Sequence, residues 1–232
     1  MKRTHVINAI LEKKNRHTSY LEIGVRNGNC FFQINANRRI AVDPEFVIGK
    51  RTYFNAYRSQ PLKWLKDSFY SLTSDEYFER KAKSKPKATA ILIDGLHTYE
   101  QSYRDVQSSL NILEEDGVIV MHDCNPKSEA EAFPTDSYES ALNSNLPGWR
   151  NVWCGDVWKT VLHLQTQPNL EVCVLDTDFG LGLVRKSTKP EPQLVMDVAG
   201  IKNLSYADLA ANRESWLNLK SKDYLQEFLS RC

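Results

Sequence analysis

Residues 88–123 constrain the fold most strongly. Ala88 to Ile93 is an apolar run, halted by Asp94-Gly95-Leu96-His97. Tyr99, Tyr103, Val106, Leu110 and Leu113 then recur at spacings of 4, 3, 4 and 3, which lines one face of a helix. Thr98 and Gln101 stand at capping-box spacing before it, and Asp116-Gly117 is expected to stop it. Gly117 to Met121 is a second apolar run, ended by His122-Asp123. Strand, helix and strand in about 35 residues make a βαβ unit, whose strands are parallel because a crossover separates them.

The flanking segments extend this unit. Val6, Ile7, Ile10 and Leu11 mark a short amphipathic helix over 5–14. Tyr20 to Ile23 is a buried strand stopped by Gly24, and Arg39 to Val42 is a second, stopped by Asp43-Pro44. Residues 66–71 read as a third strand, with a helix start at Ser74-Asp75-Glu76. Residues 157–164 read as a helix. Leu170 to Leu175 and Gly182 to Val184 read as an antiparallel hairpin, and Lys186 to Pro192 as a hinge-like stretch. The tail is expected to be helical, with Ser205 and Asp208 at capping spacing. The expected fold is α/β: a Rossmann-like, doubly wound, mostly parallel sheet with an antiparallel edge hairpin. Residues 1–190 would form the main domain and 191–232 a helical extension packed on it.

Composition removes several classes of function. Thirty basic residues stand against 29 acidic ones, a net charge of +1, so no overall electrostatic excess points to nucleic acid or to an acidic membrane. No apolar run approaches the roughly 20 residues of a spanning helix, so no membrane insertion is expected. The basic N-terminus meets Glu12-Lys13-Lys14 too soon for a secretory signal, and the expected location is the cytoplasm. Cys30, Cys124, Cys154, Cys173 and Cys232 form no CxxC pair, which excludes a zinc knuckle and favours reduced thiols. The sequence is compatible with a monomer or a homo-oligomer.

The chemistry gathers at strand ends, where doubly wound sheets bind ligands. Gly24 and Gly28 let the turn after the first strand approach a ligand closely, and a following helix N-terminus could face its polar groups. Asp43 ends the next strand and suits the paired hydroxyls of a ribose. Asp94 and Asp123 end what should be neighbouring strands, and two carboxylates at one rim suit Mg²⁺, Ca²⁺ or Mn²⁺. His97 and His122 adjoin them, and an imidazole with an ordinary pKa near 6.5 suits general-base work at neutral pH. Cys124 is two residues from His122, the minimum for a Cys–His reading. Phe133, Tyr138, Trp149, Trp153 and Trp158 could form either a packed cap or an acceptor platform.

Together these pieces resemble class I S-adenosylmethionine-dependent methyltransferases. The resemblance rests on Leu21-Glu-Ile-Gly-Val-Arg-Asn-Gly28, Ile40-Ala-Val-Asp-Pro44, Ile91-Leu-Ile-Asp-Gly-Leu-His-Thr-Tyr-Glu100 and Asp116-Gly-Val-Ile-Val-Met-His-Asp123. It spans roughly residues 15–185. The last two segments resemble the subfamily of macrocin-type O-methyltransferases and cephalosporin-hydroxylase-like proteins. The resemblance implies Glu22, Gly24 and Gly28 around the methionine moiety, Asp43 on the ribose, and Ser74, within Thr73 to Asp75, near the adenine. It implies Asp94 and Asp123 as ligands of a divalent ion, and His97 as base. By their place at the same rim, Asp94 and His122 are further candidates for the catalytic set, and Asp94 for cofactor contact. Related catechol-type enzymes carry an amide ligand directly after the second acid. Here Cys124 stands there, a poor ligand for Mg²⁺, with Asn125 next.

The expected function is O-methylation of a small-molecule or sugar hydroxyl, in glycan or secondary-metabolite synthesis, with S-adenosylmethionine and optional help from Mg²⁺ or another divalent ion. Three rivals share some of these residues. They are an NAD-dependent oxidoreductase, which needs a different glycine spacing; a non-catalytic nucleoside-cofactor-binding protein; and a metal-dependent hydrolase built on Asp94, His97, His122 and Asp123.

Overall fold

The computed structural model describes residues 1–14, 16–58, 61–189 and 191–231, with 61–63 as backbone alone. Cys232 and Pro190, the latter inside the hinge-like stretch, lie outside the described residues. A helix α1 (Arg3–Lys13) precedes the strands β1 (Ser19–Ile23) and β2 (Arg38–Val42). Then follow α2 (Lys50–Tyr57), β3 (Asp67–Tyr70), α3 (Ser74–Arg80), β4 (Ala88–Ile93), α4 (Tyr99–Ile112) and β5 (Leu113–Met121). The chain continues through α5 (Tyr138–Asn143), α6 (Val157–Gln165) and the hairpin β6 (Leu170–Leu175) and β7 (Leu181–Lys186). It ends with α7 (Val198–Ile201), α8 (Tyr206–Trp216), β8 (Leu219–Lys220) and α9 (Tyr224–Ser230).

The eight strands form one sheet in the order β3-β2-β1-β4-β5-β7-β6-β8. β1 to β5 pair in parallel, while β7 runs antiparallel to both β5 and β6. This is the expected Rossmann-like sheet with its antiparallel hairpin. The strand order reverses between β1 and β4, and the gap outside those two carboxyl ends is where such sheets bind ligands.

Period-two alternation divides the core. Leu21, Ile23, Ile91, Ile93, Ile119 and Met121 face one layer, which holds Val106 of α4 and Val161 of α6. Tyr20, Ala90, Leu92, Val118 and Val120 face the other, which holds Ile7 of α1 and Phe228 of α9. Both faces of the central strands are buried, which explains why they read as continuous apolar runs.

Three expectations need correction. Helix α4 ends at Ile112, and Asp116-Gly117 lies inside β5 instead of stopping the helix. The extra strand length pairs Leu113 with Ala88 across a register shift, and Lys14 anchors it by donating to the Asp116 carbonyl at 2.6 Å. No α-helix follows the first glycine turn; residues 31–33 form one 3₁₀ turn. Asparagine side chains hold the flanking backbone there, Asn27 accepting from the Asn29 amide and Asn37 from the Thr18 amide. The first glycine turn therefore presents no α-helix N-terminus to a ligand. The tail is not wholly helical: β8 pairs in parallel with β6 and joins the tail to the sheet. The Ser205–Asp208 capping box does form. Among the described residues no helix is long and apolar enough to cross a membrane.

Candidate active site

A cleft of about 530 Å³ opens outside the ends of β1, β2, β3 and β4, and its lining includes Gly24, Asp43, Ser74, Asp94, Leu96 and Asp105. Gly24 has φ +86°, and a Cβ there would stand 1.9 Å from the Asp94 carbonyl oxygen. Only glycine lets β1 turn this close to β4. Asp43 accepts from the Arg26 amide at 2.7 Å and the Glu45 amide at 2.8 Å, which fixes its carboxylate at the cleft wall. Ser74 opens α3 behind a capping box made by Thr73 and Glu76, and it accepts from Gln101 Nε2 at 3.1 Å.

Two residues of the expected cofactor set stand elsewhere. Gly28 (φ +77°) packs against the Phe32 ring and shapes the turn without lining the cleft. Glu22 is buried on the α1 side of the sheet, where it accepts from the Tyr20 hydroxyl at 2.6 Å. Burial pushes its carboxyl up to about 8 from the ordinary 4.5, against the opposing pull of the Tyr20 hydroxyl. A raised acid pKa contributes stability that is complete below about pH 4.5 and is lost as pH rises to about 8. Glu22→Gln is therefore expected to match the native chain in urea denaturation near pH 4.5 and to exceed it by up to a few kcal/mol, on the order set by the shift, above pH 8. Parallel stability curves across that range would exclude a proton on buried Glu22.

The strand-end acids and histidines do converge. β4 and β5 are neighbours in register, Ile93 beside Met121, so Asp94 and Asp123 leave the sheet side by side. His97 Nε2 lies 3.3 Å from Asp123 Oδ2 and 3.6 Å from Asp94 Oδ1. His122 Nδ1 lies 2.8 Å from Asp123 Oδ2 and 3.1 Å from Asp94 Oδ1. Asp123 sits at φ +61°, a left-handed conformation that costs a non-glycine residue on the order of 1–3 kcal/mol and recurs at functional sites.

Sequence reasoning missed the residues that orient this cluster. Trp153 O accepts from His97 Nδ1 at 2.8 Å, and the two rings pack 5.2 Å apart. With Nδ1 carrying the hydrogen, Nε2 is turned toward the two carboxylates. The chain approaches so closely that a Cβ on Gly155 would stand 1.9 Å from the His97 carbonyl oxygen. Cys154 donates to Asp123 Oδ1 at 3.4 Å. From α1, Arg3 reaches Asp94 at 3.3 Å, Asp178 at 3.5 Å and His122 Nε2 at 2.9 Å. His122 thus turns Nδ1 toward the two carboxylates and Nε2 toward Arg3 and Asp178. Nothing local marks these partners, which lie tens to over a hundred residues away in sequence.

Electrostatics changes the reading of His97. Burial alone would lower its pKa, but Asp123 and Asp94 more than offset this and hold the imidazole protonated to about pH 9. Burial raises the Asp94 carboxyl, but His122, His97 and Arg3 together hold it far below the ordinary range. The ordinary pKa near 6.5 assumed from sequence therefore does not apply while both carboxylates face the ring.

Asp94, His97 and Asp123 offer ligand atoms within 4.8 Å of one another. Two carboxylates and one imidazole fit a divalent ion of borderline character, and the hydrogen bond from His97 to Trp153 is the outer support such a ligand needs. Asn125 is turned away: it donates to Asp176 at 3.0 Å and accepts from Arg213. Cys124 is also turned away, its buried thiol directed at the Met121 and His122 carbonyls and pushed up in pKa by burial, which removes the Cys–His reading. Of the five aromatics, Trp153 alone packs on His97. Trp158 is core, and Tyr138 pairs with Trp149 at 6.0 Å.

Comparison with known proteins agrees with this geometry. Residues 21–124 match the family described as a methyltransferase domain. A search of curated proteins returns no significant sequence match. Among solved structures, the fold is similar to cofactor-bound Rv0187 from MTB (TM-score 0.57, 13% identity, 80% of this chain and 81% of that one). It is similar as well to an O-methyltransferase from Bacillus cereus in complex with SAH (TM-score 0.53, 12% identity, 81% and 82%). The fold is thus that of the class I methyltransferases. Residues 21–124, the stretch that matches the methyltransferase-domain family, hold both the cleft glycine and the strand-end acids.

Proposed function

We propose that this enzyme methylates a hydroxyl group of a small molecule or sugar, with assistance from a divalent ion. The observation that carries this reading is the position of Asp94, which lines the cleft and is also one of the three residues of the Asp94–His97–Asp123 cluster. A nucleoside cofactor in the cleft would therefore end where the acid and imidazole groups begin. S-adenosylmethionine supplies an electrophilic methyl group for in-line displacement. The protein must align the acceptor with it and dispose of the hydroxyl proton.

In this reading Asp43 holds the ribose, Gly24 admits the cofactor backbone and Ser74 borders the base. Asp94, His97 and Asp123 would hold the divalent ion, which lowers the pKa of a coordinated hydroxyl. His122 and Arg3 brace Asp94 and Asp123. Residues 1–190 serve as the catalytic domain, with the extension 191–232 supporting it. Arg213 of α8 donates to the Pro126 carbonyl at 2.7 Å and so steadies the loop after β5.

Calorimetry with S-adenosylhomocysteine tests the reading. Binding is expected in chelator, and Asp43→Ala is expected to weaken it about 10- to 100-fold, since hydrogen bonds to a charged group contribute ~1.5–3 kcal/mol. Mn²⁺ or Mg²⁺ added to the complex is expected to give its own heat, lost in Asp123→Ala. Absence of S-adenosylhomocysteine binding, or binding of nicotinamide dinucleotides instead, would overturn it.

A further inference from the structure

The strongest feature outside the site is the surface presented by α2 and by residues 64–66, beyond the edge of the sheet at β3. Tyr53 and Tyr57 on the inner face of α2 pack against Phe32, with ring centroids 5.6 and 5.7 Å apart. The outer face carries Lys50, Phe54 and Arg58 at successive four-residue steps, all exposed. The 3₁₀ turn at 61–66 packs on α2 and adds Trp64 and Leu65. Phe54, Trp64 and Leu65 are 68%, 59% and 62% exposed. Large apolar side chains grouped at the surface mark an interaction site more often than chance exposure.

Charge identifies the partner. Of the described side chains of residues 45–58 and 64–66, Lys50, Arg51, Arg58 and Lys66 are basic and Glu45 alone is acidic, a net +3 in a chain of net +1. Lys50, Arg51, Arg58 and Lys66 are exposed on the same two elements as the apolar side chains or directly beside them in sequence. A second copy seated symmetrically on this face would bring like charges together. A nucleic acid would stack on Phe54 and Trp64 but offer nothing to Leu65. Apolar side chains with a basic rim match the boundary between acyl chains and anionic headgroups.

We infer that this face docks on an anionic lipid bilayer, with Phe54, Trp64 and Leu65 entering the interface and the surrounding cations binding the headgroups. The surface follows Asp43-Pro44 in the chain, so docking would set one wall of the cleft near the membrane. The inference does not depend on the methyltransferase reading.

The test is flotation of the full chain with vesicles of phosphatidylcholine alone, or of equal parts phosphatidylcholine and phosphatidylglycerol, at low and high salt. The protein is expected to float with the anionic vesicles at low salt and to leave them at high salt. Bilayers of brominated lipid are expected to quench the native chain's fluorescence, and a Trp64→Phe variant is expected to lose that quenching. Lys50→Gln and Arg51→Gln are each expected to weaken binding about fivefold, and the pair Phe54→Ser with Trp64→Ser to abolish it. The glutamine variants alter only exposed side chains, so they carry the test if the serine pair fails to fold. Equal binding to neutral vesicles, or no flotation, would overturn the inference. So would a concentration-dependent dimer that the serine pair abolishes, or binding to an oligonucleotide without flotation.

Discussion

A His97→Ala enzyme is expected to transfer methyl groups about 10²- to 10⁴-fold more slowly than the native chain, the range for loss of a positioned acid–base or ligand group. It should keep its affinity for S-adenosylhomocysteine, because His97 does not line the cleft. The measurement is S-adenosylhomocysteine release on an acceptor that the native enzyme uses, with calorimetry alongside. Full turnover would remove His97 from the mechanism. Weak cofactor binding would point instead to collapse of the segment around Trp153 and Gly155, which His97 holds in place. His97 sits between two carboxylates that keep its proton to about pH 9, so a free imidazole base is the less fitting role in the metal-free site. Partial rescue of the variant by excess Mn²⁺ is the outcome expected if the ring is chiefly a ligand.

Arg39→Ala is expected to destabilise the fold by about 3–5 kcal/mol, the cost of leaving a buried charge without its partner. Arg39 and Asp67 are 3% and 2% exposed in their side chains and meet through two hydrogen bonds of 2.9 and 2.6 Å. The Tyr57 hydroxyl also donates to Asp67, and Arg39 donates to the carbonyls of Phe31 and Ile34. The pair thus links β2 to β3 and to the 3₁₀ turn that replaces the expected helix. Urea denaturation checks the prediction. The double variant Arg39→Met with Asp67→Leu is expected to recover most of the loss, because paired apolar residues leave no charge buried. A single variant within 1 kcal/mol or so of native would mean that water reaches Asp67 freely.

Adjacency in sequence separates what could be read early from what could not. Asp94 and Asp123 were legible because a βαβ unit places its two strands side by side, and each acid follows directly on a buried strand. Asp43 was legible for the same reason one strand further out. Glu22 was not: its position in the glycine motif suggested the cleft, but strand alternation puts it with Tyr20 on the α1 layer. Asn125 looked available as a third ligand until Arg213, 88 residues later, took its carbonyl oxygen.

The sequence by itself determined the parallel sheet, the hairpin, the glycine turn and the two acids at one rim. Each depends on short-range periodicity or on residues that stop a strand, and both act within a few residues. Only the tertiary structure decided which nitrogen of His97 faces the acids, that Arg3 closes the cluster, and that the tail adds a strand. Those outcomes depend on chain segments meeting across 45 or more residues, where packing and charge select the partner and no local pattern records it.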